Sequence, residues 1–207
     1  MKRARSPKIT REKIGRAALQ LADEHGRVTL TQIASHFGVT PPSLYFHVKG
    51  MDEILELMRE LIHVEQGPKI DRSWPWQEVL RHVAHHDRSS IGKYPWLAAD
   101  LMISQVTADE PLQSVVDLAE VLHEAGFSRE EVYRIIGTVD LLTAGGALDL
   151  GAPERIYPIE TELSDTALGE SLRVNPKGRE RADVVFEFAL ESFIRALEEL
   201  LASRPAE

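Results

Sequence analysis

Apolar residues recur along this chain at helical rather than strand spacing. Within 10–25, Ile14, Ala17, Ala18, Leu21 and Ala22 fall at i, i+3, i+4, i+7 and i+8, which predicts an amphipathic helix with one buried stripe. Gly26 stands where a left-handed stop belongs. Thr29-Leu30-Thr31-Gln32 has the form of a capping box, and it opens a short helix over about 30–37 with Ile33, Ala34 and Phe37 inward. Gly38-Val39 makes a turn. Thr40 is placed to cap a third helix over about 41–47, Pro41 takes its first position, and Val39 with Leu44 has the spacing of a hydrophobic staple. A supporting helix, a short helix, a tight glycine turn and another short helix form a helix-turn-helix.

The rest of the chain is patterned the same way. Residues 51–65 carry Ile54, Leu55, Met58, Leu61 and Ile62 on one face. After a break over 67–75, helices are expected at 76–91, 96–106 and 111–125, the last ending at Gly126. Ser128-Arg129-Glu130-Glu131 is a second capping box, flanked by a Phe127/Val132 staple. The helix it opens runs to about 150 and bears two stripes, one of Val132, Ile135, Ile136, Val139 and Leu142, the other of Tyr133, Gly137, Leu141, Ala144 and Leu148. A final helix over 181–202 is as broad, through Phe186, Leu190, Phe193 and Leu197 with Val185, Phe188, Ile194 and Leu201 beside them. Helices apolar on two sides must be covered on two sides. Between these two, 151–178 has three prolines and weak periodicity, with a short helix expected near 165–172. No strand pattern or repeat is present, so the fold class is all-α: an N-terminal three-helix helix-turn-helix domain and a larger helical C-terminal domain.

Charge sharpens that division. The net charge is −9, yet residues 1–50 hold nine Lys/Arg against three Asp/Glu, leaving fifteen against thirty for the remainder. A basic head on an acidic body can dock on a polyanion with the head alone. The boundary is therefore drawn as 1–50 for DNA binding and 51–207 for the body. The absence of cysteine removes disulfides, thiolate metal sites and thiol nucleophiles. No apolar run reaches the roughly 18 residues of a membrane helix, and the basic start is followed by no apolar core of a signal peptide, so a cytoplasmic protein is expected.

The second helix of such a motif enters the major groove. Its candidate DNA contacts are Thr40, Pro41, Pro42, Ser43, Tyr45, Phe46, His47 and Lys49, with Thr31 and Gln32 from the preceding helix. The helix has no Arg, Asn or Gln for bidentate base reading, so hydroxyls, apolar contacts with thymine methyls and DNA shape must carry it. Lys2, Arg3, Arg5 and Lys8 form a basic arm suited to phosphates or the minor groove.

These residues resemble a known family. The segment 9–58, above all Phe37-Gly38-Val39, Ser43-Leu44-Tyr45-Phe46-His47-Val48-Lys49 and 52–55, looks like the DNA-binding domain of the tetracycline repressor (TetR) family. The stretches Trp76-Gln77-Glu78-Val79-Leu80-Arg81, Ala125-Gly126-Phe127-Ser128 and Phe186-Glu187-Phe188-Ala189-Leu190-Glu191 are similar to its tetracycline-repressor branch. The resemblance implies a repressor of a double-stranded DNA operator, released by a small-molecule effector, with no cofactor. It also implies a homodimer formed through the helices at about 128–150 and 181–202. A lysine common in the family two positions after Lys49 is replaced by Met51, and no tetracycline-contact set is evident, so a different effector is expected.

The effector pocket is expected among the middle helices, with His82, His86, Trp96, Met102, Gln105, Ile136, Asp140 and Thr143 as candidate contacts. Asp140 interrupts an apolar helix, and a buried carboxylate needs a partner. His82 and His86 share a face at i, i+4, a spacing metals use, with His85 beside them. A helical metal-dependent enzyme built on this cluster is therefore one alternative, and an effector-free architectural DNA-binding protein is another. No phosphate loop, nucleophile elbow or zinc-protease motif supports catalysis, and Gly145-Gly146 points to close helix packing. The chain is expected not to be an enzyme.

Overall fold

The computed structural model describes residues 9–154, 156, 157 and 164–204; the side chains of 64–66, 95, 96 and 102 also lie outside the description. The basic arm at Lys2, Arg3, Arg5 and Lys8 falls outside it as well. The described residues form ten helices and no strand: α1 (Arg11–His25), α2 (Leu30–His36), α3 (Pro41–Leu44), α4 (Met51–Gln66), α5 (Trp76–Ile91), α6 (Pro95–Ile103), α7 (Asp109–Glu124), α8 (Arg129–Asp149), α9 (Ala167–Val174) and α10 (Gly178–Ala202). They cluster into two compact units. One holds the described residues up to Gly67 together with Ala99–Ser114, and the other holds Pro68–Ala98 and the described residues from Val115 onward. The functional division expected at residue 50 falls inside the first unit.

In the first unit, Thr10 caps α1 through the Lys13 amide, and α1 stops at Gly26 with φ of 82°. The capping box at Thr29–Gln32 forms in full. The third helix is shorter than its expected 41–47 span, because the amides of His47 and Val48 both return to the Leu44 carbonyl, at 2.8 and 3.0 Å. That tightening ends α3 at Leu44 and turns Val48 inward, where it is buried, as are Leu44, Ile33 and Ile54 of the same unit. Thr40 makes no capping bond; its hydroxyl lies 3.1 Å from that of Ser43. Helix α1 lies along α4 at close range: a Cβ at Gly15 would sit 2.9 Å from Leu61 Cδ1 and 3.1 Å from Leu57 Cβ.

In the second unit, Val79, Leu80, Val83 and Ala84 of α5 pack with Leu118, Val121 and Leu122 of α7, Val132, Ile135 and Val139 of α8, and Phe186, Leu190, Ile194 and Leu197 of α10. Phe127, ahead of the Ser128 capping box, is buried with the Trp76 ring edge-on at 5.3 Å. One stripe of α8 is thus inside. Of the other, Tyr133 at 81% and Leu141 at 65% exposure stay out with Leu148, while Ala144 is buried; Phe188 of α10 is 72% exposed.

Candidate nucleic-acid interface

The segment expected to contact DNA is anchored in the first unit by two buried side chains. Leu44 and Val48 are buried, while Tyr45 and Phe46 between them are 56% and 88% exposed. Two large aromatics held out of a core by two anchored neighbours form a surface that water covers poorly. Thr31, Thr40, Pro42 and Lys49 are exposed around them, and Pro41, Ser43 and His47 are half-buried. Gln32 is half-buried, with its amide oxygen committed to the Thr29 amide at 2.9 Å and the Thr29 hydroxyl at 2.8 Å.

The sequence reading missed what holds this segment. Gly50 opens α4 without a capping side chain, and Glu53, three positions on, reaches back instead. One carboxylate oxygen accepts the Lys49 amide at 2.5 Å, and the other is paired with the Arg11 guanidinium. The same Arg11 nitrogen donates to the His47 carbonyl at 3.4 Å. The Lys49 amide first, and the Arg11 hydrogen bond second, hold the Glu53 carboxyl below its ordinary pKa. A glutamate at the third position of a helix whose cap is glycine was a legible signal; the Arg11 partner 42 residues away was not.

Further along α4, Glu56 accepts the amides of Thr107 and Ala108 at 2.8 and 3.1 Å and the Thr107 hydroxyl at 3.0 Å. Arg59 donates to the Leu101 carbonyl at 3.0 Å and the Ser104 hydroxyl at 2.6 Å. A carboxylate faces the start of α7 and a guanidinium the end of α6, each complementing a helix dipole. Burial opposes the Glu56 charge, but the Thr107 amide, Arg59 and the Thr107 hydroxyl outweigh it and lower its pKa. Between these anchors lies a cleft of about 680 Å³ rimmed by Asp52, Glu53, Glu56, Glu60 and Asp100, with Gln105 also in its wall. Arg11 and Lys49 share that wall, and Glu53 and Glu56 are paired with Arg11 and Arg59.

The other expected effector contacts with described side chains are in the second unit. Asp140 is exposed, not buried: α8 has two apolar stripes, and Asp140 sits beside the exposed Tyr133 and Leu141 rather than on the side packed into the core. Thr143 is buried and donates to the Asp140 carbonyl at 3.0 Å; Ile136 flanks the core. Trp96 and Met102 have side chains outside the described set. The three histidines turn to different partners. His82 meets the Trp74 ring edge-on, His85 lies 3.4 Å from Glu187, and His86 is engaged by Asp87 at 3.3 Å and by Ser90 at 3.4 Å. Among the described residues no group of three His, Cys, Asp or Glu is placed to hold a metal, and no helix is long and apolar enough to cross a membrane.

Comparison with known proteins adds an independent line. Residues 71–201 match the family model described as the tetracyclin repressor-like C-terminal domain. The tetracycline repressor protein class E of Escherichia coli is 27% identical over 186 residues, which is 86% of this chain and 85% of that protein. The Streptomyces coelicolor TetR family protein ActR in complex with (S)-DNPA matches with a TM-score of 0.75 at 18% identity, over 93% of this chain and 98% of ActR. A TetR variant from Acinetobacter baumannii in complex with minocycline matches with a TM-score of 0.70 at 19% identity, over 93% and 98%. At such identities these two structures speak for the fold.

Proposed function

We propose, from the premise that this chain belongs to the tetracycline repressor (TetR) family of transcriptional regulators, that it is a ligand-responsive repressor whose segment 40–49 reads an operator and whose second unit binds a small-molecule effector. The observation that carries the DNA half is the exposure of Tyr45 and Phe46 between the buried Leu44 and Val48. Hydroxyls of Thr40, Ser43 and Tyr45, the apolar Pro42 and Phe46, and the Lys49 charge supply contacts to phosphates and thymine methyls. The effector half is supported by the small molecules bound in ActR and in the Acinetobacter TetR variant. Such a molecule releases DNA to the extent that it binds the non-DNA conformation better.

A homodimer completes the reading, working in the cytoplasm. A second copy would cover the exposed apolar faces of α8 and α10 and present two reading segments to successive turns of one duplex. Neither alternative has comparable support. The histidines are not gathered into a metal centre, and the family relatives are regulators.

The test is selection of duplexes from a random-sequence pool by the full chain, followed by retardation of the recovered sequence. A recovered duplex is expected to bind with a steep inverse dependence on salt. Tyr45→Ala is expected to weaken that complex by about 1–3 kcal/mol, with thermal unfolding unchanged because the ring lies outside the core. A pool that never enriches any sequence would overturn the operator reading.

A further inference from the structure

We propose that Glu53 is a positioning residue for DNA reading: its carboxylate sets the pose of Tyr45, Phe46, His47 and Lys49 by tying the backbone that carries them to α1 and α4. The proposal rests on the operator-binding reading above and adds to it a residue that touches no DNA.

Helix α3 is a single turn, and the chain from Tyr45 to Gly50 has few backbone bonds of its own: Tyr45 to Pro42, and His47 and Val48 to Leu44. After Val48 the Lys49 amide is met by a side chain, that of Glu53, rather than by a backbone carbonyl among the described residues, and Gly50 offers no capping side chain. Glu53 fills that gap. It accepts the Lys49 amide directly and, through Arg11, governs a guanidinium that also reaches the His47 carbonyl. One carboxylate therefore joins α1, the reading turn and α4, and it fixes backbone groups on both sides of Val48. The Glu53 side chain is 21% exposed against 54% for Arg11, so the carboxylate is the sheltered member and the arginine the outer one.

The energetics separate geometry from bulk stability. A partly exposed ion pair adds little to folding, whereas a charged acceptor on a backbone amide is a strong directional bond. A reading surface loses function when its supporting contacts slacken by about 1 Å. Removal of Glu53 should therefore lower stability without unfolding the chain, and should cost discrimination as well.

Electrostatics predicts the opposite sign. Glu53 is a negative charge close to the proposed reading face, and Arg11, Lys49 and Asp52 line the same cleft. If it acted only through its charge, its removal would tighten binding to every duplex alike.

The experiment uses the full chain, a duplex selected by the wild type and a random-sequence duplex of equal length. Glu53→Ala is expected to weaken binding to the selected duplex by about tenfold or more, while binding to the random duplex is unchanged or tighter. Glu53→Gln keeps one acceptor and the shape, and is expected to lose a smaller part of the same discrimination. Folding is followed by circular dichroism melting, and if Glu53→Ala does not fold the Gln variant carries the comparison. Parallel tightening on both duplexes, or unchanged discrimination, overturns the proposal. Failure of the wild type to select any duplex instead overturns the operator reading itself.

Discussion

A Leu141→Glu, Phe188→Glu double variant is expected to sediment as a monomer and to lose operator affinity by about 100-fold or more, since the second reading segment contributes through effective concentration. Apolar faces of α8 and α10 are left uncovered among the described residues. Tyr133, Leu141 and Leu148 on α8 and Val184, Val185 and Phe188 on α10 are all exposed, on the side of each helix turned away from its own core. Solvated helix faces do not carry six large apolar groups by chance. Gly137 and Gly145 stand on the same face of α8, and a Cβ at either would meet nothing within 4 Å, so another helix has room to approach closely. Area is the second consideration. A permanent homodimer buries on the order of 2,000 Å² or more, and two adjacent helices of 21 and 25 residues supply a face long enough for it. Glutamates in the middle of that face would be stranded without partners on association. Because both positions are exposed in the isolated chain, helix content should be unchanged. Sedimentation velocity and duplex retardation read the two outcomes. A double variant that stays dimeric, or a monomer that binds the duplex as tightly as the wild type, would sink the paired-reader reading.

What the sequence disclosed was mostly local. The capping boxes at Thr29–Gln32 and Ser128–Glu131 span four residues, and both form as expected. The inner stripes of α1, α5 and α8 follow a period set by helix geometry alone, and they are buried. What it concealed depends on distance or on a choice between faces. Asp140 is exposed because period does not say which of two apolar stripes the same chain covers. The end of α3 depended on Val48 competing with His47 for one carbonyl. The three histidines share a helix, but each answers to a neighbour on a different element or turn. Gly146 was legible as a point of close packing, and a Cβ there would lie 2.7 Å from Phe186 Cδ2 and 3.1 Å from Arg88 Nε. Its partner Arg88 was not singled out, although Leu80, Ala84 and Arg88 step along one row of α5 and are all buried.

That arginine gives the second large effect, in stability rather than binding. Arg88 is 8% exposed and crosses α8 over Gly146 to reach α10. Its Nη1 pairs with Asp183 at 2.8 Å, its Nε donates to the Gly146 carbonyl at 3.4 Å, and its guanidinium lies 4.6 Å from the centre of the Phe186 ring. Its Nη2 has no acceptor among the described residues. An arginine cannot discharge by losing its proton, so Asp183 is the only countercharge this buried group meets at hydrogen-bond distance among those residues. Asp183→Ala is expected to cost about 2–3 kcal/mol, at or below the lower end of the range for breaking a buried pair, because the Asp183 side chain is itself 47% exposed and water can partly take its place. Adding Arg88→Met to Asp183→Ala should recover most of that loss or exceed the wild type, because a flexible apolar chain fills the space and no charge remains to be solvated. The two changes are then strongly non-additive. Urea unfolding at one fixed protein concentration measures both, the concentration being held because association contributes to apparent stability. A single variant within about 0.5 kcal/mol of wild type, or a double variant less stable than the single, would show that the buried charge is solvated by something other than Asp183.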